Sequence, residues 1–130
     1  MRVFSAEGSE NIDTVNWKWK QIGQDVFPTW PNYKYRDSSS GSSVSLSDDG
    51  KSPAVGDYRN DYVWVYRMDD SRFDWILVGE AIGEGVQVTG EYLGYSVSLS
   101  GDGNTVAIGS SRYNSDNWLN TGQVMVFGVE

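Results

Sequence analysis

The chain contains no cysteine and no histidine. Without cysteine there is no disulfide staple and no thiolate chemistry. Without histidine the commonest general base and zinc ligand are missing. A serine nucleophile would need such a base, so a hydrolase is a poor reading of the serine-rich tracts described below. A paired-carboxylate glycosidase would need two acids held apart across a cleft, and no pair stands out. Proline is scarce: three residues, of which Pro28 and Pro31 fall in one segment. No run approaches the roughly 20 apolar residues that cross a bilayer, so no membrane span is expected. The opening, MRVFSAEGSENIDTV, also lacks the apolar stretch of a secretory leader. Basic residues are outnumbered, 10 against 18 acids, for a net charge of −8. Such a surface repels phosphate backbones, so no nucleic-acid partner is expected, and the simplest role of the charge is solubility.

Turn formers and aromatics are abundant, with 15 Gly, 6 Trp, 8 Tyr and 4 Phe. The most telling feature is a decapeptide that occurs twice, GSSVSLSDDG at 41–50 and GYSVSLSGDG at 94–103. Eight of its ten positions are identical at an offset of 53 (94 − 41). Self-similarity at a fixed offset marks a repeat architecture, one supersecondary unit copied and stacked. Copies carry no unique catalytic constellation, so function is expected in the loops that differ between them.

Within the decapeptide, Val44 and Leu46, or Val97 and Leu99, alternate with serine. Period-two alternation predicts a strand with aliphatics on one face and Ser43 and Ser45, or Ser96 and Ser98, on the other. Asp49-Gly50 and Asp102-Gly103 then supply a tight hairpin turn. A second strand follows at 52–57 and 105–110, weaker in the first copy because Pro53 stands where the second copy has Val106. Third strands recur at 1–4, 63–66 and 124–127, and fourth strands at 19–26 and 75–82. Offsets of 53 to 62 mean that strands are copied while loops vary in length. No segment shows helical periodicity. The fold class expected is all-β, with four-stranded antiparallel units, about two in the chain and nine strands in all. Residues 1–26 read as third and fourth strands of a partial unit, 41–82 as a complete unit, and 94–130 as a partial unit lacking its fourth strand. Together they make a single repeat module over 1–130.

The blocks W-x-Q-I-G-x-D from Trp19, G-x-S-V-S-L-S-x-D-G-x-x-V-A-I-G from Gly94 and G-x-V-x-V-F from Gly122 resemble the FG-GAP-type, integrin-α-like repeats. The resemblance covers essentially the whole chain. It implies the blades of a β-propeller, with adhesion or recognition in an extracellular or cell-surface setting. The D-x-D-x-D-G calcium loop of many such repeats is missing as a linear motif. Calcium is therefore kept as a minor possibility, and no other cofactor is expected. Propellers need about 4 to 8 blades, so two would leave apolar faces open. Several chains closing a homo-oligomer, flanking repeats of a longer chain, or a compact sandwich would each resolve that. The spare fourth strand around Trp19 suits donation to the last unit, within or between chains.

Candidate contacts lie in the variable loops. The segment 25–41 carries Phe27, Trp30, Tyr33 and Tyr35, where the corresponding loop 83–94 has Tyr92. The loop 110–122 mixes Tyr113, Asn114, Asp116, Asn117, Trp118 and Asn120. Trp30, Tyr33, Tyr35, Tyr113, Asn114, Asp116 and Trp118 are the residues expected to contact a protein or glycan partner, by stacking and amide hydrogen bonds. The same side chains could instead plug their own loops or cap their own turns. Asp48, Asp49 and Asp102 are read as turn residues, and Glu80, Glu84 and Glu91 lie near the following connection, too scattered for the converging oxygens that calcium needs. The repeated Trp19 and Trp75, with Gly23 and Gly79, are read as structural. The function expected is a non-enzymatic recognition module. The alternative is a structural subunit that assembles into a homo-oligomer or filament through its blade faces and strand ends.

Overall fold

In a computed structural model of the chain, the described residues are 1–8, 17–27, 38–83 and 91–129, with the backbone of 10–11 and 14–15. They form eleven strands and no helix, so no helix is long and apolar enough to cross a membrane. The strands are β1 (Val3–Glu7), β2 (Glu10–Asn11), β3 (Thr14–Val15), β4 (Lys18–Ile22), β5 (Ser43–Leu46), β6 (Pro53–Asp57), β7 (Tyr62–Asp69), β8 (Asp74–Leu77), β9 (Leu93–Leu99), β10 (Thr105–Ser110) and β11 (Gln123–Gly128). All pairing is antiparallel. A β1-β4 pair is followed by a four-stranded sheet in the order β5-β6-β7-β8 and a three-stranded sheet β9-β10-β11. Two strands more than expected arise because the connection between β1 and β4 pairs with itself as β2 and β3.

The two serine-valine tracts fall at the start of separate sheets, as β5 and β9. Their turns are longer than a two-residue hairpin. Ser47 N–H donates to Ser52 O at 2.9 Å and Ser100 N–H to Thr105 O at 2.8 Å, which leaves four residues in each loop. Gly50 and Gly103 take φ of 71° and 72°, the left-handed region that glycine enters at no cost. Asp49 accepts from Ser47 Oγ at 2.6 Å and Lys51 N–H at 2.9 Å, while Asp102 accepts from Ser100 Oγ at 2.5 Å and Asn104 N–H at 3.0 Å. One side-chain network is thus built twice. Pro53 stands first in β6, which is buried along its whole length between β5 and β7. Opposite Tyr66 of β7 it has no N–H to give the ladder.

The fourth-strand motif also repeats in detail. Past β8 the ladder continues as Val78 N–H to Val65 O at 2.8 Å, then Val63 pairs with Ile82. Regular pairing from Tyr66–Leu77 would set Val63 opposite Glu80, so two extra residues bulge out beside Gly79. Past β4, regular pairing from Val3–Ile22 would set Met1 opposite Gln24, yet Val26 N–H reaches Met1 O at 3.0 Å, the same two-residue bulge beside Gly23.

Stacking of the sheets makes two cores. One face of the central sheet (Trp64, Tyr66, Met68, Trp75) packs on Val3, Ile22 and Val26 of the N-terminal pair. Its other face (Ala54, Val63, Val65, Val78, Ile82) packs on Val97, Leu99, Val106, Ile108, Met125 and Phe127 of the C-terminal sheet. Burying each such side chain contributes roughly 1.5–3 kcal/mol before entropy is counted. The serine face of β5 is turned to the next sheet: Ser43 Oγ donates to Gly94 O at 2.7 Å, and Leu99 N–H donates to Ser45 Oγ at 2.9 Å, while Val44 and Leu46 are exposed. On β9 the alternation is apolar-in and polar-out, with Val97 and Leu99 packed inward and Ser96 and Ser98 exposed.

Candidate functional site

The loop 111–122 between β10 and β11 is held from inside. Ser115 and Trp118 form an isolated bridge, Asn114 Oδ1 accepts from Asn120 N–H at 2.8 Å, and Tyr113 O accepts from Thr121 Oγ1 at 3.1 Å and Gly122 N–H at 3.3 Å. Asn120 sits at φ 54°, a conformation asparagine tolerates better than most residues. Asn114 therefore spends its carbonyl oxygen on the loop itself, which answers the turn-capping alternative for that residue. Tyr113 is half-buried and Asp116 exposed. The tip carries Trp118 at 73% exposure and Leu119 at 82%. Leu119, which the sequence reading passed over, is the apolar neighbour that makes the tip a patch. Trp30, Tyr33 and Tyr35 lie outside the described residues; their neighbour Phe27 is exposed.

Behind this loop is a cluster that sequence reasoning missed. Tyr58 meets Tyr92 edge-on at 5.0 Å and Tyr95 at 5.6 Å, and the Arg112 guanidinium lies 4.3 Å from the Tyr92 ring centre. Such contacts are worth about 0.5–1.5 kcal/mol each. They hold Tyr92 at φ 62°, a costly backbone position for a bulky residue. The signal was faint because the three tyrosines are spread over two connections and the start of β9.

Asp57, at the end of β6, is fully buried and anchors the aromatic-rich segment to the central sheet. Its carboxylate accepts from Ser38 Oγ at 2.8 Å, Ser39 N–H at 3.0 Å, Ser39 Oγ at 2.6 Å and Asn60 Nδ2 at 2.8 Å. Burial pushes this carboxyl up, but the donors from Ser39, Asn60 and Ser38 outweigh it and hold it below the usual carboxylate range. Four hydrogen bonds on two oxygens leave it little capacity as a base. Among the described residues no group of three or more acids converges as a cation site, and Asp49 and Asp102 are committed to their own turns.

The repeated tryptophans part company. Trp75 is 6% exposed: its Nε1–H donates to Ile22 O at 3.0 Å, and Gln24 clamps its backbone, accepting from Trp75 N–H at 3.0 Å. A Cβ on Gly23 would lie 2.7 Å from that indole nitrogen, so only glycine leaves room for the ring. Trp19 is 75% exposed, which overturns the expectation that both copies are packed. The matching seat, at Gly79, meets no atom within 4 Å of a would-be Cβ. It opens into a groove of about 470 Å³ whose lining includes Val65, Val78, Gly79, Ile82, Phe127 and Val129. Nor is the fourth strand around Trp19 donated to the last unit within the chain: β4 pairs with β1, in register from Val3–Ile22 to Glu7–Lys18.

No family model, curated protein or solved structure matches the chain.

Proposed function

We propose that the chain is a non-enzymatic recognition module of propeller-blade type, in which the stacked sheets form a rigid support and the loop 111–122 offers Trp118 and Leu119 to a partner. The two-fold repetition of strands, turns and bulges supports the blade reading and, with it, the resemblance to FG-GAP-type repeats and an extracellular or cell-surface setting. The observation that carries the functional reading is the exposure of two adjoining large apolar side chains on a tip fixed by its own hydrogen bonds. Preordered aromatic anchors lose little entropy on binding and dominate contact energies. Tryptophan beside leucine suits an apolar protein pocket; a glycan would use the indole with the loop amides instead. Panning the chain against a random-peptide library and a glycan array in parallel tests this. The expected result is peptide ligands whose affinity falls at least about tenfold on Trp118→Ala, with the fold unchanged because the side chain is exposed. Ligands indifferent to both Trp118→Ala and Leu119→Ala would overturn it, and ligands confined to the glycan array would reassign the partner class.

A further inference from the structure

We propose that β4 of a second copy of this chain lies along the edge of β11 that pairs with no strand among the described residues, and seats its Trp19 in the groove beside Gly79. The chain displays this contact once within itself. Val3, Ile22, Gly23 and Val26 receive Trp75, and their counterparts Val65, Val78, Gly79 and Ile82 line the open groove. On its other side the groove is bounded by Phe127 and Val129, the counterparts of Tyr66 and Met68 that flank Trp75. Among the described residues no tryptophan of a fourth strand fills the groove, and the chain carries one on its surface, in β4. Trp19 takes the seat as Trp75 takes its own, with the Val78 carbonyl standing where Ile22 O accepts the Trp75 indole.

The register follows from the copies. Tyr66 pairs with Leu77 and Arg67 with Ile76; Phe127 and Gly128 correspond to the first of each pair, Gln21 and Lys20 to the second. Gly128 therefore faces Lys20 of the second copy. β4 already accepts such a partner, since Phe4 of β1 faces Gln21 and a single offset of 123 carries Met1, Val3 and Phe4 onto Val124, Val126 and Phe127. In the exchange β11 replaces β1 on the second copy. Val124 and Val126, now 71% and 65% exposed, turn inward against that copy's Trp64 and Trp75 as Met1 and Val3 do now. Ser96 and Ser98 then meet the second copy's β5 as Ser43 and Ser45 meet β9, covering its exposed Val44 and Leu46.

The element given up, β1-β4, is a two-stranded sheet, marginal by itself. Its cross-strand ion pairs, Arg2–Asp25 at 2.8 Å and Lys20–Glu7 at 3.2 Å, are exposed on the basic partner and add little. The contact is head-to-tail, so it closes a ring or extends a filament according to the rotation between copies.

The absence of native cysteine gives a direct test. Gly128→Cys and Lys20→Cys are placed on separate chains, mixed and mildly oxidised. The expected result is a disulfide-linked heterodimer far in excess of the homodimers formed by either variant alone. Adding Trp19→Ala to the Lys20→Cys chain should lower the yield at least about tenfold. Light scattering on the wild-type chain should give a multiple of the single-chain mass, falling to one chain for Trp19→Ala with an unchanged strand signature in circular dichroism. A monomeric wild type overturns the proposal, and so does cross-linking no greater in the mixture or indifferent to Trp19→Ala. Either result would leave the groove to a different occupant.

Discussion

Trp75→Ala is expected to lower the unfolding free energy by about 3–5 kcal/mol, whereas Trp19→Ala, at the matching position of the other copy, should cost the dilute single chain less than about 1 kcal/mol. The contrast rests on surroundings, since both residues open the same fourth-strand motif. Removing the Trp75 ring empties the space between Met68, Tyr66 and Val3 and strands the Ile22 carbonyl, which now accepts the indole N–H. It also frees the space above Gly23, where a φ of 67° still favours glycine. Trp19 touches no core cluster and is three-quarters exposed, so its loss leaves no cavity. Urea titrations of the two variants decide the matter. Equal midpoints would mean that the central sheet does not bury Trp75 against the N-terminal pair.

Asp57→Asn should cost on the order of 3 kcal/mol, because an acceptor-only group facing four donors becomes one that points an N–H₂ at them. Serine hydroxyls can rotate, but the Ser39 N–H and the Asn60 amide cannot turn into acceptors for that group without giving up their own contacts. The variant should also alter the pH profile. The Asp57 carboxyl titrates below its unfolded value, so its stabilisation is complete above the ordinary carboxylate range near 4 and is lost as pH falls through the lower folded value. Asp25, Asp49, Asp69 and Asp102 are shifted the same way by hydrogen bonds from Arg2, Ser47, Ser71 and Ser100, so the wild type loses stability in acid through several groups. Removing Asp57 should leave a shallower acid limb. Thermal melts of both proteins from neutral pH to about pH 3 measure this, and parallel limbs would show that Asp57 is not buried among its donors.

Much of this arrangement was legible because each local signal agreed with the next. Period-two alternation around Val44 and Val97 and the Asp-Gly turns placed the strands. The spacing from Trp19 to Gly23, repeated from Trp75 to Gly79, marked the fourth-strand motif without revealing its two-residue bulge. What escaped depends on neighbours distant in sequence. Trp19 and Trp75 look alike as letters, and burial is a property of the sheet next door. Pro53 read as a weak point because the rule concerns ladder bonds, whereas the burial of β6 between two neighbours could not be seen from its letters. The Tyr58, Tyr92 and Tyr95 cluster joins two connections and a strand that share no pattern, and Leu119 became a candidate once its exposure beside Trp118 was visible. Asn114 and Asp116 are the opposite case: residue types that suit sugars were equally suited to holding a turn, and Asn114 holds one.

The account depends on sheets that face one another through the serine side of the repeated tract, and the amide of Leu99 reports on this directly. Its N–H donates to Ser45 Oγ across the gap between sheets at 2.9 Å. Hydrogen exchange should therefore show Leu99 protected in the wild type and much faster in Ser45→Ala, while amides inside the β9-β10 ladder keep their rates. An unchanged Leu99 rate in that variant would mean that β5 and β9 do not lie face to face, and the stacked arrangement would be wrong.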